Sequence, residues 1–161
     1  MTAPAARPTR IEISNTLFFV SSKSGTTLEP NIFKQYFFKR AQEVVGEESA
    51  GKHFIAITDP GSKLRQEAER DRFRKIFLGD PSIGGRYSAL SYFGMVPAAL
   101  MGLDVRRLLE GARQAARSDD VAFELGLALG DNANAGRDKL TLLPTPSLRP
   151  VGAWIEQLVA E

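Results

Sequence analysis

Short apolar runs alternate with longer stretches of helical periodicity along the chain, and this alternation predicts an α/β fold. Residues 16–20 (TLFFV) are apolar without alternation, which is typical of a strand covered on both faces. Residues 53–58 (HFIAIT) predict a second strand that leads into a turn and a helix start. Residues 75–78 and 139–143 predict two further strands, the last of which ends before a proline. We therefore expect a mostly parallel sheet with helices between its strands.

Helical periodicity marks six segments of the chain. Pro97 lies inside the third segment and predicts a kink there, while residues 131–138 (DNANAGRD) predict a loop before the last strand. The final segment has one apolar face with Trp154 at its margin. The six segments are residues 27–45, 63–72, 87–101, 105–117, 121–129 and 147–160.

The length of 161 residues favours one domain, since a domain commonly holds roughly 150 residues. We expect residues 1–13 to be a flexible leader and residues 14–161 to form that domain. The opening MTAPAARPTR lacks the apolar core of a secretory signal. No apolar run approaches the roughly 20 residues that cross a bilayer, so we expect a cytoplasmic protein without a membrane partner.

Composition excludes several classes of function. Lys and Arg number 21 against 19 Asp and Glu, and a net charge of +2 supplies no dense field for gripping nucleic acid. The absence of cysteine excludes disulfides and thiolate metal sites, and one histidine makes a zinc or iron centre improbable. We accordingly expect no metal, no cofactor and no nucleic-acid partner, and His53 is expected to be structural.

The segment SSKSGTT, at residues 21–27, falls where the first strand ends and a helix begins. A helix start offers unpaired N–H groups and about half a positive charge, and hydroxyls with a lysine add donors that suit a phosphate dianion. The order of residues differs from a Walker A loop, so nucleotide hydrolysis is disfavoured. The segment is therefore either an anion cradle or a hydroxyl-rich turn that caps the helix.

Three blocks of the chain resemble the phosphoglucose isomerase family. They are residues 18–38 (FFVSSKSGTTLEPNIFKQYFF), 54–64 (FIAITDPGSKL) and 83–104 (IGGRYSALSYFGMVPAALMGLD). The G-G-R-[YF]-S element in the last block is the most specific, and the likeness is greatest to the isomerase halves of bifunctional transaldolase/phosphoglucose isomerases. The resemblance covers nearly all of residues 16–161. It implies a three-layer α/β/α sandwich of the sugar-isomerase (SIS), flavodoxin-like type, with four or five strands.

The resemblance implies a phosphate-binding role for the loop. Hydroxyls would bind the phosphate, with one further threonine and two backbone amides completing the cradle. The Lys23 ammonium would either touch the phosphate or point to solvent. A glycine in the loop is expected to adopt a conformation that is awkward for residues with a Cβ. The hydroxyls are those of Ser22, Ser24 and Thr27, the further threonine is Thr26, and the amides are those of Lys23 and Gly25.

The resemblance also assigns a role to Arg86, whose guanidinium would stabilise a cis-enediolate beside the paired glycines Gly84 and Gly85. Without the family match, an arginine at a helix start would more often form an ordinary surface ion pair. Ser88 is expected to cap or pack.

The third implied element is the end of the last helix, where Gln157 and Glu161 stand four residues apart on one side. A carboxylate at the edge of an apolar face can lose solvation, which suits a general base. The resemblance places Glu161 at the family's proton-transferring glutamate, and the alternative is a solvated terminal residue.

The family's upstream G-G-S strand, ring-opening histidine and late lysine have no counterpart in the sequence. We therefore expect most of the first subdomain of an isomerase that acts on glucose 6-phosphate and fructose 6-phosphate, with little activity alone. The implied partners are a sugar 6-phosphate and either a second copy in a homodimer or the remainder of a larger isomerase chain. The alternatives are a non-catalytic module that binds sugar phosphates and a purely structural module.

Overall fold

The fold is given by a computed structural model, which describes residues 11–117 and 119–160. The chain divides into two compact units, Met1–Gly94 and Met95–Glu161. The first contains β1 (Phe18–Ser21), α1 (Leu28–Val45), α2 (Glu47–Ala50), β2 (Phe54–Thr58), α3 (Lys63–Arg70), β3 (Lys75–Leu78) and the start of α4 (Tyr92–Leu100). The second contains the rest of α4, α5 (Val105–Arg117), α6 (Asp119–Asn134) and α7 (Arg149–Ala160).

The three strands form one parallel sheet in the order β1-β2-β3. The register places Val20 beside Ala56 and Ala56 beside Ile76, so these three residues share a face. Every residue of β2 is buried, as expected for the central strand of a parallel sheet. The predicted α/β class and its parallel sheet flanked by helices are confirmed.

Helices α1 and α3 pack against that face of the sheet. Phe18 stacks on Phe37 of α1 and on Phe54 of β2, with ring centroids 5.0 and 4.9 Å apart. Leu64 and Ala68 of α3 are fully buried in the same cluster. Rings at these distances add attraction beyond the area that they bury, so the aromatic residues hold α1 over the first two strands.

An ion pair joins the two helices beside this core. The Lys34 ammonium of α1 donates to the Glu67 carboxylate of α3, and both side chains are largely buried. On the other face of the sheet, the ring of Phe77 lies 5.4 Å from that of Tyr92 at the start of α4. Helices therefore flank the sheet on both sides.

The predicted strand at residues 139–143 is wrong. These residues have no strand pairing, and Leu140 and Leu143 are 53% and 91% exposed. A β-rich run becomes a strand only when its N–H and C=O groups meet a neighbouring strand, and among the described residues this run has none. The sheet consequently has three strands in the described part of the chain, not four or five.

Several helix boundaries also differ from prediction. Helix α6 continues to Asn134 across the start of the loop expected at residues 131–138, because that short polar stretch contains no proline to stop it. The predicted helix at 87–101 is divided into a 3₁₀ helix, Gly85–Leu90, and α4, in which Pro97 lies. None of the described helices has the length and apolarity needed to span a membrane.

Candidate functional site: three loops at the carboxyl edge of the sheet

Three loops meet where the parallel strands end. Residues 22–27 follow β1, residues 59–62 follow β2 and residues 79–84 follow β3, so the carboxyl ends of all three strands open on one edge. In open α/β sheets, ligands bind outside this edge. The loop that sequence analysis selected as an anion cradle is therefore in the expected position relative to the sheet.

The first loop is organised by its own hydroxyls. The Ser22 Oγ accepts the Gly25 amide at 3.1 Å, and the Ser24 Oγ accepts the Thr26 amide at 3.1 Å. The Ser24 and Thr26 hydroxyls lie 2.7 Å apart. An oxygen that accepts an amide still carries a hydroxyl hydrogen that it can donate, so Ser22 and Ser24 can contribute donors to an anion. The Gly25 amide, in contrast, is already engaged within the loop.

If the loop only capped a helix, Thr27 would be expected to cap α1 with its side chain. It occupies the N-cap position of α1, yet its side chain makes no capping hydrogen bond. The turn is instead braced by Asn31, whose side-chain amide donates to the carbonyl oxygens of Gly25 and Thr27 at 2.9 Å each. The Thr27 hydroxyl is exposed at the start of the helix, where the N–H groups favour an anion.

Gly25 adopts the left-handed conformation that was predicted, with φ +74°. A Cβ there would stand 2.7 Å from the Cβ of Leu64 and 3.0 Å from its Cα. The Lys63 amide also donates to the Ser24 carbonyl oxygen at 3.2 Å. The close approach that Gly25 permits in this structure is thus to the first turn of α3, which joins the loop to a second helix start.

The Lys23 side chain has protein partners that the sequence did not indicate. Its ammonium lies 2.9 Å from both carboxylate oxygens of Asp59 and donates to the Asp80 carbonyl oxygen at 3.2 Å. It also stands 5.3 Å from the centroid of the Phe93 ring. The side chain is 25% exposed, so the ammonium is engaged within the protein and is not directed at solvent.

The Lys23 backbone is also fixed by hydrogen bonds. Its carbonyl oxygen accepts the Asp59 amide at 3.1 Å and the Thr58 hydroxyl at 3.0 Å. The Thr58 hydroxyl also lies 2.7 Å from that of Ser62, which caps α3 by accepting the Arg65 amide. This hydrogen-bond chain connects the first loop to the second loop and to the start of α3.

Sequence analysis missed Asp59, Thr58 and Asp80 as parts of this site. Residues 59–62 were identified only as a turn, although they follow a buried strand parallel to β1. That position was the available signal, because the ends of neighbouring parallel strands meet at one edge. Nothing in the sequence indicated which cation Asp59 would bind.

The Asp80 carboxylate is turned toward its own loop. Its Oδ1 accepts the Ser82 hydroxyl at 2.7 Å and the Ser82 amide at 2.9 Å. These hydrogen bonds favour the charged form and hold the pKa of Asp80 below its ordinary value, the hydroxyl having the larger effect. Asp80 therefore presents its carbonyl oxygen to Lys23 and its carboxylate to Ser82.

Arg86 lies in the 3₁₀ helix that follows the third loop, at an intermediate level of burial. Its guanidinium stands 5.8 Å from the Tyr87 ring, and it makes no ion pair within the described part of the chain. The ordinary surface ion pair considered as an alternative is thus not observed. A guanidinium without a carboxylate partner is suited to an anionic ligand.

The residues around Gly84 and Gly85 leave room for a side chain at both positions. A Cβ on Gly85 would lie 3.8 Å from the Lys23 Cδ, and one on Gly84 would lie 3.5 Å from the Tyr87 ring, which are ordinary contacts. Neither glycine has a positive φ. Ser88 packs as expected, since it is buried and donates to the Gly85 carbonyl oxygen at 2.6 Å. The first loop and the Gly84–Arg86 element are adjacent through the Lys23 side chain.

The remaining predicted site residues belong to the second unit. Gln157 is an exposed residue of α7. Glu161 lies outside the described residues, so its assignment as the base stays a prediction. His53 lies in the first unit, with Nδ1 3.1 Å from the Thr16 carbonyl oxygen, an arrangement that suits the structural role expected of it.

Comparison with known proteins identifies the family of this chain. Residues 5–123 match the family model described as Phosphoglucose isomerase. The glucose-6-phosphate isomerase of Clostridioides difficile (strain 630) is 34% identical over 155 residues, which cover 88% of this chain and 33% of that protein. That of Mycoplasmopsis pulmonis (strain UAB CTIP) is 38% identical over 96 residues, which cover 60% of this chain and 22% of that protein.

A solved structure has the same fold. A hypothetical protein from Thermus thermophilus superimposes with a TM-score of 0.62 and 35% identity, covering 69% of this chain and 28% of that one. The chain spans about a fifth to a third of the length of the curated relatives it matches. The likeness to bifunctional enzymes stays a prediction. A family match over residues 5–123, on an α/β fold with a parallel sheet, shows that the chain belongs to the phosphoglucose isomerase family.

Proposed function

We propose that this chain provides the phosphate-binding half of a site that interconverts glucose 6-phosphate and fructose 6-phosphate. The observation that carries the proposal is the hydroxyl-lined loop at the carboxyl edge of the sheet, beside an arginine that has no carboxylate partner in the described chain. Relatives named glucose-6-phosphate isomerase supply the substrate class.

In this proposal, different residues bind the phosphate and stabilise the reacting part of the sugar. The hydroxyls of Ser22, Ser24 and Thr27 hold the phosphate, which fixes the sugar relative to the protein and removes the entropy cost of orienting it. Arg86 opposes the negative charge that develops on the two oxygens of a cis-enediolate, and a fixed cation at that point lowers the barrier.

Proton transfer is assigned to Glu161. Glu161 takes the C2 proton of the open-chain aldose and returns it to C1 while the O2 hydroxyl proton passes to O1, and Gln157 stands four residues before it in the sequence. Opening of the sugar ring has to be provided by groups from the remainder of a larger isomerase chain. We therefore expect slow turnover by this chain alone.

A non-catalytic sugar-phosphate-binding module is the second candidate. The carboxylates of the second and third loops favour it, because Asp59 is held by Lys23 and Asp80 by Ser82. A carboxylate that is already paired is a poor base for a carbon acid. The two candidates share the phosphate cradle and differ in whether a proton leaves C2.

The test combines binding with isotope exchange. Glucose 6-phosphate should protect the amides of residues 22–27 from hydrogen exchange in the whole chain, and Ser24→Ala should weaken that protection while Ser14→Ala should not. Deuterium from the solvent should enter the sugar at C2, both in this chain and after it replaces the matching segment of the Clostridioides difficile relative.

Two outcomes separate the candidates. Arg86→Met should reduce deuterium entry about a hundredfold or more, since loss of one electrostatic stabiliser has that magnitude, whereas Arg106→Met should leave it unchanged. Protection without deuterium entry in either protein would favour the binding module. No protection of residues 22–27 would overturn both.

A further inference from the structure

We propose that Asp59 is a positioning residue of the phosphate cradle, which acts by holding the Lys23 ammonium away from the anion. The inference rests on the proposed function of the loop as a phosphate site. It concerns a residue that makes no contact with the hydroxyls of Ser22, Ser24 and Thr27 in the described structure, and it assigns to Lys23 a role other than direct binding.

The Lys23 side chain links three loops mechanically. Through Lys23, the first loop is joined to Asp59 in the second loop and to the Asp80 carbonyl oxygen in the third. The bond to Asp59 uses both carboxylate oxygens at 2.9 Å, and the pair is only 25% and 17% exposed. A charge-assisted contact that is partly shielded from water is stronger than an exposed ion pair. One side chain thus fixes the spacing of three loops.

Lys23 also sets the charge of the first loop. Lys23 is the only cationic residue within residues 22–27, and its charge is balanced by the Asp59 carboxylate and faces the Phe93 ring. The hydroxyls and amides that remain for the ligand are neutral donors in a fixed arrangement. Such donors select by geometry, whereas an unpaired ammonium attracts any anion and is screened by salt.

The path of the Asp59 side chain depends on Gly79, at the start of the third loop. A Cβ on Gly79 would stand 2.7 Å from the Asp59 Oδ1, so glycine at that position lets the carboxylate pass between the second and third loops. The Asp59 amide donates to the Lys23 carbonyl oxygen at 3.1 Å, which keeps the two residues side by side. Asp59 therefore makes hydrogen bonds to Lys23 through both its backbone and its side chain.

The positioning role is tested without ligand. Asp59→Asn keeps the shape of the side chain and removes its charge, and Lys23→Met keeps the stem and removes the ammonium. Each change should speed hydrogen exchange at residues 22–27 and at 80–82 about tenfold or more, as expected for the loss of one charge-assisted hydrogen bond. The double variant should be no faster than either single one, and Asp59→Glu should restore part of the protection.

Inorganic phosphate and glucose 6-phosphate test the role of charge. Affinity of the wild-type chain should depend weakly on ionic strength. Asp59→Asn should weaken binding about three- to tenfold at high salt and make binding more salt-dependent, because the ammonium is then unpaired. In the Lys23→Met chain, Asp59→Asn should change neither quantity. A simple structural defect at residue 59 would not alter the salt dependence through Lys23.

The outcomes distinguish this inference from the proposed function. If the wild-type chain binds phosphate but the effects of Asp59→Asn and Lys23→Met add independently, the positioning role is wrong and the phosphate site stands. If the wild-type chain binds no phosphate, the proposed function and the charge argument both fail. The exchange measurement still decides in that case whether Asp59 positions the loops through Lys23.

Discussion

Gly25 lies directly against Leu64, so closely that a methyl group on the glycine would stand 2.7 Å from the Leu64 Cβ. Leu64 is fully buried in the first turn of α3, where it cannot move aside without disturbing the core. The loop of residues 22–27 is therefore built against the packed face of a helix. This contact makes the shape of the loop depend on the core of the first unit.

Gly25→Ala is expected to destabilise the first unit by about 2 kcal/mol or more, because strain at positive φ and a steric clash act together. Gly61→Ala is the matched control. Gly61 has φ +76° and nothing within 4 Å of the added methyl group, so it should lose only about 1 kcal/mol. Urea unfolding of both variants measures the difference. Equal losses would mean that the contact with Leu64 costs nothing.

The buried ion pair between α1 and α3 should behave differently from an exposed one. Lys34→Met leaves the Glu67 carboxylate largely buried without its main partner, and we expect a loss of about 3 kcal/mol. Changing both residues to apolar ones should recover most of that loss. Arg40→Met removes an exposed pair with Glu43 and should cost less than about 0.5 kcal/mol. Chemical denaturation of the variants tests this order, and a double variant as unstable as the single one would contradict it.

Two threonines of the site should separate stability from binding. Thr58 is fully buried and donates to the Lys23 carbonyl oxygen, so Thr58→Val should reduce stability by about 1–2 kcal/mol. Thr26 is exposed, and Thr26→Val should change stability by less than about 0.5 kcal/mol while weakening phosphate binding. Thermal unfolding and phosphate titration of both variants measure these effects. Normal binding by Thr26→Val would remove Thr26 from the cradle.

The lowered pKa of Asp80 predicts that the stability of the fold depends on pH. That pKa is lowered in the folded chain, so the hydrogen bonds from Ser82 stabilise the fold above the ordinary pKa of an aspartate and cease to do so as pH falls through the lowered value. Ser82→Ala should raise the pKa of Asp80 toward its ordinary value. Carbon NMR of the Asp80 carboxyl group during an acid titration measures the change. The stability difference between wild type and Ser82→Ala should vanish at strongly acid pH, and a difference that grew there would reverse the sign of the argument.

The sequence predicted the elements that depend only on residues close together in the chain. The boundaries of β3 and α5 agree with prediction at both ends, and β1, β2 and α1 differ by one or two residues. Apolar runs of strand length and helical periodicity are properties of neighbouring residues, so one sequence is enough to find them. The anion loop was found for the same reason, since a strand end, hydroxyls and a helix start are consecutive in the chain.

The errors occurred where a residue needs a distant partner. Residues 139–143 have the composition of a strand, but no neighbouring strand among the described residues pairs with them. The sequence also did not indicate that the Lys23 ammonium meets a carboxylate 36 positions further along the chain. Composition gives the chemistry of a group, whereas its partner depends on how the strands are ordered.

The amino-acid sequence by itself determined the α/β class, the strands of the parallel sheet, the family and the position of the hydroxyl loop, because each is encoded in contiguous residues. Only the tertiary structure decided that Gly25 faces Leu64, that Asp59 and Asp80 hold Lys23, and that Arg86 lacks an acidic partner within the described chain. These relationships arise from parallel strands whose ends meet at one edge, and they bring together residues that are far apart in the sequence.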